Sequence, residues 1–223
     1  MAVCVATSRS ESSGSSGGRR PRVPSIVVMQ MLLVRHGESQ WNAEGRWQGR
    51  ADPPLSDLGR RQAFHAAARV GAVDVICASP LVRALHTARI ISEQVGVGPV
   101  VVEADLAERD AGEWQGLTRA QIEASWPGYL DADRRPPGYE VHEHLVVRAR
   151  AALDRVAAEF DGADVLVVTH GGLIGALERD AGLPWERLPN LAGRWVTHHG
   201  DRLALGDRLV LVDHDEITVP NQI

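Results

Sequence analysis

The sequence predicts an α/β fold: a mostly parallel sheet flanked by helices on both faces, three layers in all. Three observations lead there. Short continuous apolar runs alternate with longer segments of helical periodicity, as strands buried on both faces alternate with amphipathic helices. Capping residues and glycines mark the boundaries between them. The chain has 223 residues, enough for one hydrophobic core and one domain.

The elements follow in order. Residues 1–25 are rich in Ser, Gly and Arg and hold little to bury, so a disordered tail is expected, with the domain over 26–223. Ile26–Val34 is apolar at every position but Gln30 and reads as a doubly buried strand. Ser56 caps a helix over Asp57–Val70, and Val73–Ala78 is a second buried strand. The helix Leu81–Val95 stops at Gly96, and Val100–Glu103 is a short strand. Thr118 caps a short helix ending at Ser125, and Val141–Phe160 is a longer amphipathic one. Asp164–Thr169 is a strand and Leu173–Ala181 a helix. Trp195–His199 and Arg208–Val212 are expected to close the sheet as an antiparallel pair at its edge.

Charge and composition exclude several classes. The formal charge is −5, and all 24 basic residues are arginine. Four arginines and one glutamate lie in residues 1–25, which leaves the rest of the chain more acidic still. An acidic body argues against nucleic-acid binding, which needs a basic surface. The longest apolar run is too short to span a membrane. The two cysteines, Cys4 and Cys77, form neither a disulfide framework nor a C-x-x-C motif, so a reducing cytoplasm is expected.

In such a sheet, ligands bind just beyond the carboxyl ends of the strands. Each strand delivers a charged or titratable group there: Arg35-His36-Gly37-Glu38 after the first, Ser79-Pro80-Leu81-Val82-Arg83 after the second, Leu106-Ala107-Glu108-Arg109 after the third and His170-Gly171-Gly172 after the fourth. Arginine forks match phosphate oxygens, and histidine serves as nucleophile or donor. The helix after Gly171 turns its N-terminus toward an anion. Glu108, the acidic member, suits proton transfer to a departing alkoxide and from an incoming water.

These segments carry a resemblance. Leu33-Val34-Arg35-His36-Gly37-Glu38-Ser39 with Trp41-Asn42, then Ser79 to Ala84 with Thr87-Ala88, then Leu106-Ala107-Glu108 with Gly112, Trp114 and Gly116-Leu117, then Val168 to Gly172, resemble the histidine phosphatase superfamily, in its order and approximate spacing over residues 30–213. That superfamily includes the cofactor-dependent phosphoglycerate mutases. The resemblance implies that His36 becomes phosphohistidine, that Arg35, Arg83, His170 and Asn42 hold phosphoryl oxygens, and that Glu108 is proton donor and then acceptor. Gln48, Gly49, Arg109 and Gly171 are expected to meet the substrate. No metal is required, because the arginines supply the positive charge.

The resemblance favours the phosphatase branch. The stretch from Leu117 to Val141 is short and holds Pro136-Pro137-Gly138-Tyr139-Glu140, similar to the compact segment of the phosphatases, although Tyr139 and Val141 replace its usual glycine and serine. Trp47-Gln48-Gly49 also resembles the phosphatases. Arg109 instead resembles the arginine that holds a substrate carboxylate in the mutases. A phosphorylated hydroxy acid such as a phosphoglycerate or its glycoside is the expected substrate. A mutase, needing a bisphosphorylated primer such as 2,3-bisphosphoglycerate, and a catalytically weak phospholigand binder are the alternatives. The sequence allows a homodimer without requiring one.

Other groups receive plainer readings. His142 with His144, and His198-His199, lack a third ligand at suitable spacing and are not expected to bind metal. His65, His86, Arg60-Arg61 and Arg134-Arg135 read as solvated. Trp41, Trp47, Trp114 and Trp126 are expected mainly to pack the loops over the core, with one or two lining the pocket.

Overall fold

A computed structural model of the chain describes residues 28–200 and 202–220. The expected tail over residues 1–25, with Cys4, and the first two residues of the expected first strand lie outside the described residues.

Six strands form one sheet: β1 (Val28–Arg35), β2 (Val75–Ala78), β3 (Val101–Val102), β4 (Val165–Thr169), β5 (Ala192–His199) and β6 (Arg202–Val210). Their spatial order is β3-β2-β4-β1-β5-β6. β3, β2, β4 and β1 run parallel, while β5 pairs antiparallel with β1 and β6 with β5. The helices are α1 (Gln40–Ala43), α2 (Asp57–Ala66), α3 (Val82–Val95), α4 (Arg119–Ser125), α5 (His142–Glu159) and α6 (Gly171–Asp180).

Strand periodicity divides the core in two. Met31 and Leu33 of β1, with Val165 and Val167 of β4, face Ala149, Leu153 and Val156 of α5 and Leu173 and Leu177 of α6. Leu32 and Val34, with Leu166 and Val168, face Ala66 of α2 and Ala84, Ala88 and Ile91 of α3. Every residue of β4 is buried, which is why that run is apolar without alternation. The three-layer prediction holds.

Several boundaries differ. α2 ends at Ala66 rather than Val70: the chain leaves the helix in a turn, yet Ala67 and Val70 stay buried and so kept the apolar signal running. α6 begins at Gly171, with His170 in the N-cap position, two residues ahead of the expected start. β5 begins at Ala192 and β6 at Arg202, so the hairpin is longer than expected, and of this pair β5 lies inside the sheet while β6 forms one edge. The β6 stretch before Arg208 is half exposed and polar-punctuated, which hid it. By contrast, Ser56 and Thr118 cap as predicted, each accepting a backbone N–H, and Gly96 ends α3 with φ of 72°.

Candidate active site

Arg35, His36, Arg83 and Glu108 line one hollow of about 60 Å³, together with Asn42, Trp47, Gln48, Gly49, Arg109, Ala111, Tyr139 and Gly172. The hollow lies at the carboxyl ends of β1 and β2, where the topology directs a ligand.

His36 leaves β1 with its backbone N–H donating to the Thr169 carbonyl at 3.0 Å. Its Nδ1 lies 2.6 Å from the Gly37 carbonyl, which can only accept, so Nδ1 carries the proton and Nε2 the lone pair. The Arg83 Nε–H donates to that Nε2 at 3.2 Å. Burial holds the His36 imidazole well below its ordinary pKa, and the charges of Arg83 and Arg35 push the same way. The ring is therefore neutral at pH 7.

Arg83 stands in the first turn of α3, only 1% exposed, and its terminal nitrogens donate to the carbonyls of Ala51 and Gly49, each at 2.8 Å. Those bonds lock the fork in one orientation. Gly49 has φ of 54°, and a Cβ there would lie 2.6 Å from the Ala111 backbone nitrogen, so only glycine delivers this carbonyl. Arg35 donates to the Leu188 carbonyl at 2.6 Å, while its buried Nε has no partner among the described residues. Burial lowers both guanidiniums to about 10, with Glu108 opposing the fall, so both stay charged at neutral pH. A buried, charged donor without a partner is unfavourable unless an anion meets it.

Glu108 is held by two backbone amides: Arg109 N–H donates to Oε1 at 2.7 Å and Gly172 N–H to Oε2 at 3.0 Å. A Cβ on Gly172 would sit 2.5 Å from Oε1, so the glycine is what lets the carboxyl approach α6. Asn42 is the third residue of a capping box with Ser39, whose hydroxyl donates to Gln48 Oε1 at 2.7 Å. Arg109 lies over the Tyr139 ring at 5.6 Å.

Two predicted residues are not in that lining. His170 packs 5.2 Å from His36, ring edge to face, and is fully buried. Its Nε2 shares a hydrogen bond with Ser79 Oγ at 2.7 Å, and its Nδ1 has no partner among the described residues. Burial, then Arg83, hold its pKa well below the ordinary value. Gly171 packs against Arg35 and lines an adjoining chamber. Of the tryptophans, Trp47 lines the hollow and Trp114 is fully buried beneath it. His198 meets Asp154 at 2.8 Å, and His65 meets Glu216 at 2.9 Å.

Sequence reasoning missed the supports. Asn190 Nδ2 donates to the His36 carbonyl at 2.9 Å. Arg148 of α5 forks onto Glu140 at 2.7 and 2.8 Å and also donates to the carbonyls of Asp105, Ala107 and Glu108. Burial pushes Glu140 up, but Arg148 outweighs it and holds the carboxyl below its usual range. A Glu–Arg spacing of eight carries little signal on its own. Arg135, read as solvated, lies 5.4 Å over the Tyr139 ring beside the site.

In class, this is an α/β protein with a cationic, anion-sized hollow at its strand ends. Residues 31–200 match the model of the histidine phosphatase superfamily (branch 1), and the chain belongs to that family. Among curated relatives, a bifunctional protein of Mycobacterium tuberculosis is 36% identical over 177 residues, which cover 76% of this chain but 47% of that protein; the chain spans about half its length. Glucosyl-3-phosphoglycerate phosphatase of Mycolicibacterium vanbaalenii is 36% identical over 81% of this chain and 88% of its own length. The solved structure of a mycobacterial glucosyl-3-phosphoglycerate phosphatase with VO3 superposes with a TM-score of 0.71 at 34% identity, covering 81% of this chain and 97% of that one.

Proposed function

We propose that residues 26–223 form one catalytic domain, a metal-independent phosphomonoester phosphatase that works through a phosphohistidine at His36. The observation that carries this reading is a neutral imidazole in the wall of the hollow, its Nε2 lone pair held by the Arg83 Nε–H at 3.2 Å until a phosphoryl group takes it.

The steps follow from the placement. The Nε2 electron pair attacks phosphorus as the ester P–O bond breaks, and the Glu108 carboxyl gives its proton to the departing alkoxide. Water then attacks the phosphohistidine, the P–N pair returns to Nε2, and the Glu108 carboxylate takes the proton of the water. Phosphoryl transfer asks for positioning and charge stabilisation. The Arg35 Nε and the Arg83 guanidinium supply it, fixed in advance by the carbonyls of Leu188, Ala51 and Gly49. His170, whose ring lies 5.2 Å from that of His36, and Asn42 are the further groups to hold phosphoryl oxygens. Likeness to glucosyl-3-phosphoglycerate phosphatases favours hydrolysis over mutase chemistry and a small organic phosphate, such as a phosphoglycerate derivative, as substrate. The reading places the enzyme in the cytoplasm, where buried Cys77, pushed up to about 12 mainly by burial, stays an inert thiol.

The test is chelator-treated protein against a panel of phosphate esters, with free phosphate and 3- to 2-phosphoglycerate conversion measured in parallel. Phosphate release alone is expected. Interconversion that depends on a bisphosphorylated primer would reassign the chain to mutase chemistry, and loss of release on chelation would overturn the metal-free mechanism.

A further inference from the structure

The backbone that carries His36 is gripped from behind. Leu191 N–H donates to the Arg35 carbonyl at 3.1 Å, and Asn190 Nδ2 donates to the His36 carbonyl at 2.9 Å. The peptide groups on both sides of the His36 Cα are thus held by two consecutive residues. Leu191 takes a φ of 53°, a left-handed backbone that a residue with a Cβ seldom adopts. Such strain persists only where the surrounding contacts over-determine it. Here the turn aims the Asn190 amide and the Leu191 N–H at neighbouring carbonyls.

Asn190 is wholly buried, and its Nδ2 also reaches Asn42 Oδ1 at 3.3 Å. Its Oδ1 accepts the Thr218 hydroxyl at 3.0 Å. Thr218 follows the 3-10 turn His214–Glu216, and its carbonyl accepts the Asn190 N–H at 2.9 Å. The same Thr218 hydroxyl accepts from Gln62 Nε2 at 3.1 Å. Gln62, also wholly buried, donates to the Glu216 carbonyl at 2.7 Å and accepts the Glu38 N–H on Oε1 at 2.8 Å. The series of bonds therefore runs from the carbonyl of His36 to the amide of Glu38, with Thr218 Oγ1 in the middle.

Its polarity is fixed at both ends, because the carbonyl only accepts and the amide only donates. That sets the orientation of both side-chain amides and gives the middle position one role. It must donate to Asn190 Oδ1 while accepting from Gln62 Nε2. A hydroxyl does both, and a methyl does neither. Thr218 itself does not line the phosphoryl hollow.

We propose that Thr218 is a positioning residue for phosphoryl transfer: its hydroxyl, acting through Asn190 and Gln62, fixes the backbone of His36 and the amide of Asn42. The inference rests on the phosphohistidine reading and adds a residue to it. A small shift of this loop moves Nε2 off the line of attack, which costs the transition state more than it costs ground-state binding.

Thr218→Val keeps the shape of the side chain and removes the hydroxyl, while Thr218→Ser keeps the hydroxyl. On an alkyl phosphate, Thr218→Val is expected to lower kcat about tenfold, with KM within about threefold of wild type. Thr218→Ser is expected to stay within about threefold of wild type in both. Inhibition constants for vanadate and inorganic phosphate separate positioning from loss of folded protein, since neither depends on the folded fraction. Vanadate adopts the trigonal-bipyramidal geometry of the transferring group, whereas phosphate resembles the bound product. Vanadate inhibition is expected to weaken about tenfold in Thr218→Val and phosphate inhibition less than about threefold. Thr218→Ala removes the hydroxyl without the added methyl, carries the same test if valine is not accommodated, and is expected to give the same pattern. Wild-type kcat without the hydroxyl, an equal loss in Thr218→Ser, or equal weakening of both inhibitors overturns the inference. Phosphatase turnover that survives His36→Ala would instead sink the parent reading, whatever Thr218 does.

Discussion

Replacing Arg148 with methionine keeps the aliphatic stem and removes the fork that holds the acid-bearing loop. In the native structure that fork makes five hydrogen bonds: two to Glu140 and one each to the carbonyls of Asp105, Ala107 and Glu108. The side chains of Arg148 and Glu140 are 14% and 10% exposed, so solvent replaces little of what is lost. Removing one partner of a buried ion pair destabilises by about 3–5 kcal/mol, because the remaining charge is stranded. For a domain of this size that corresponds to a drop in Tm of roughly 6–20 °C. The loop freed by the change carries Glu108, and misplacing a reacting group by about 1 Å lowers kcat about 10²-fold. Thermal denaturation and steady-state kinetics on an alkyl phosphate read both effects. Arg148→Met with Glu140→Gln should recover part of the stability, since no charge is then stranded, and none of the activity. A single variant within about 1 kcal/mol of wild type, with wild-type kcat, would refute the reasoning.

Other outcomes follow from the same geometry. Glu108→Gln should lower kcat on an alkyl phosphate about 10²–10⁴-fold, and far less on p-nitrophenyl phosphate, whose leaving group needs no proton; equal losses on both would remove Glu108 as the acid. Gly172→Ala should cut kcat about 10²-fold through the 2.5 Å approach of its Cβ to Glu108, while stability holds or rises because alanine favours the helix; wild-type kcat would contradict this. His36 and His170 both have folded pKa values well below 6.5, so as pH falls through 6.5 the unfolded chain takes up protons first. Stability is then full above that pH and falls by about 1.4 kcal/mol per histidine at pH 5.5, where Glu140 and Glu178, held below the usual carboxylate range by their arginines, still contribute. Urea unfolding at pH 7.5 and 5.5 should show this, with His170→Gln losing about half the difference; an unchanged difference would show that His170 does not titrate this way.

The parts of the site that sequence exposes are those in which one short segment contains both a strand end and its functional group. His36, Arg83 and Glu108 follow their strands within a few residues, so reading the strand ends finds them. Arg109 and Gln48 came through the resemblance, and both line the hollow. His170 follows its strand directly and was found the same way as His36, but its ring packing against His36 and its bond to Ser79 are encoded in no local pattern. Asn190 and Arg148 act through backbone carbonyls distant in sequence, and a carbonyl has no residue identity to read. The fold shows a parallel division. Ser56, Thr118 and Gly96 fix their helix ends by local chemistry and were legible, whereas the end of α2 depends on tertiary burial of Ala67 and Val70 after the helix has stopped.

The central claim is that phosphorus passes through a covalent bond to the Nε2 of His36. Rapid-quench mixing of the protein with a ³²P-labelled ester, followed by peptide mapping, measures it directly. The account predicts an acid-labile, base-stable label on the peptide containing His36, formed faster than phosphate is released and absent from His36→Ala. Steady phosphate release with no label at any quench time, or a label that persists in His36→Ala, would contradict it.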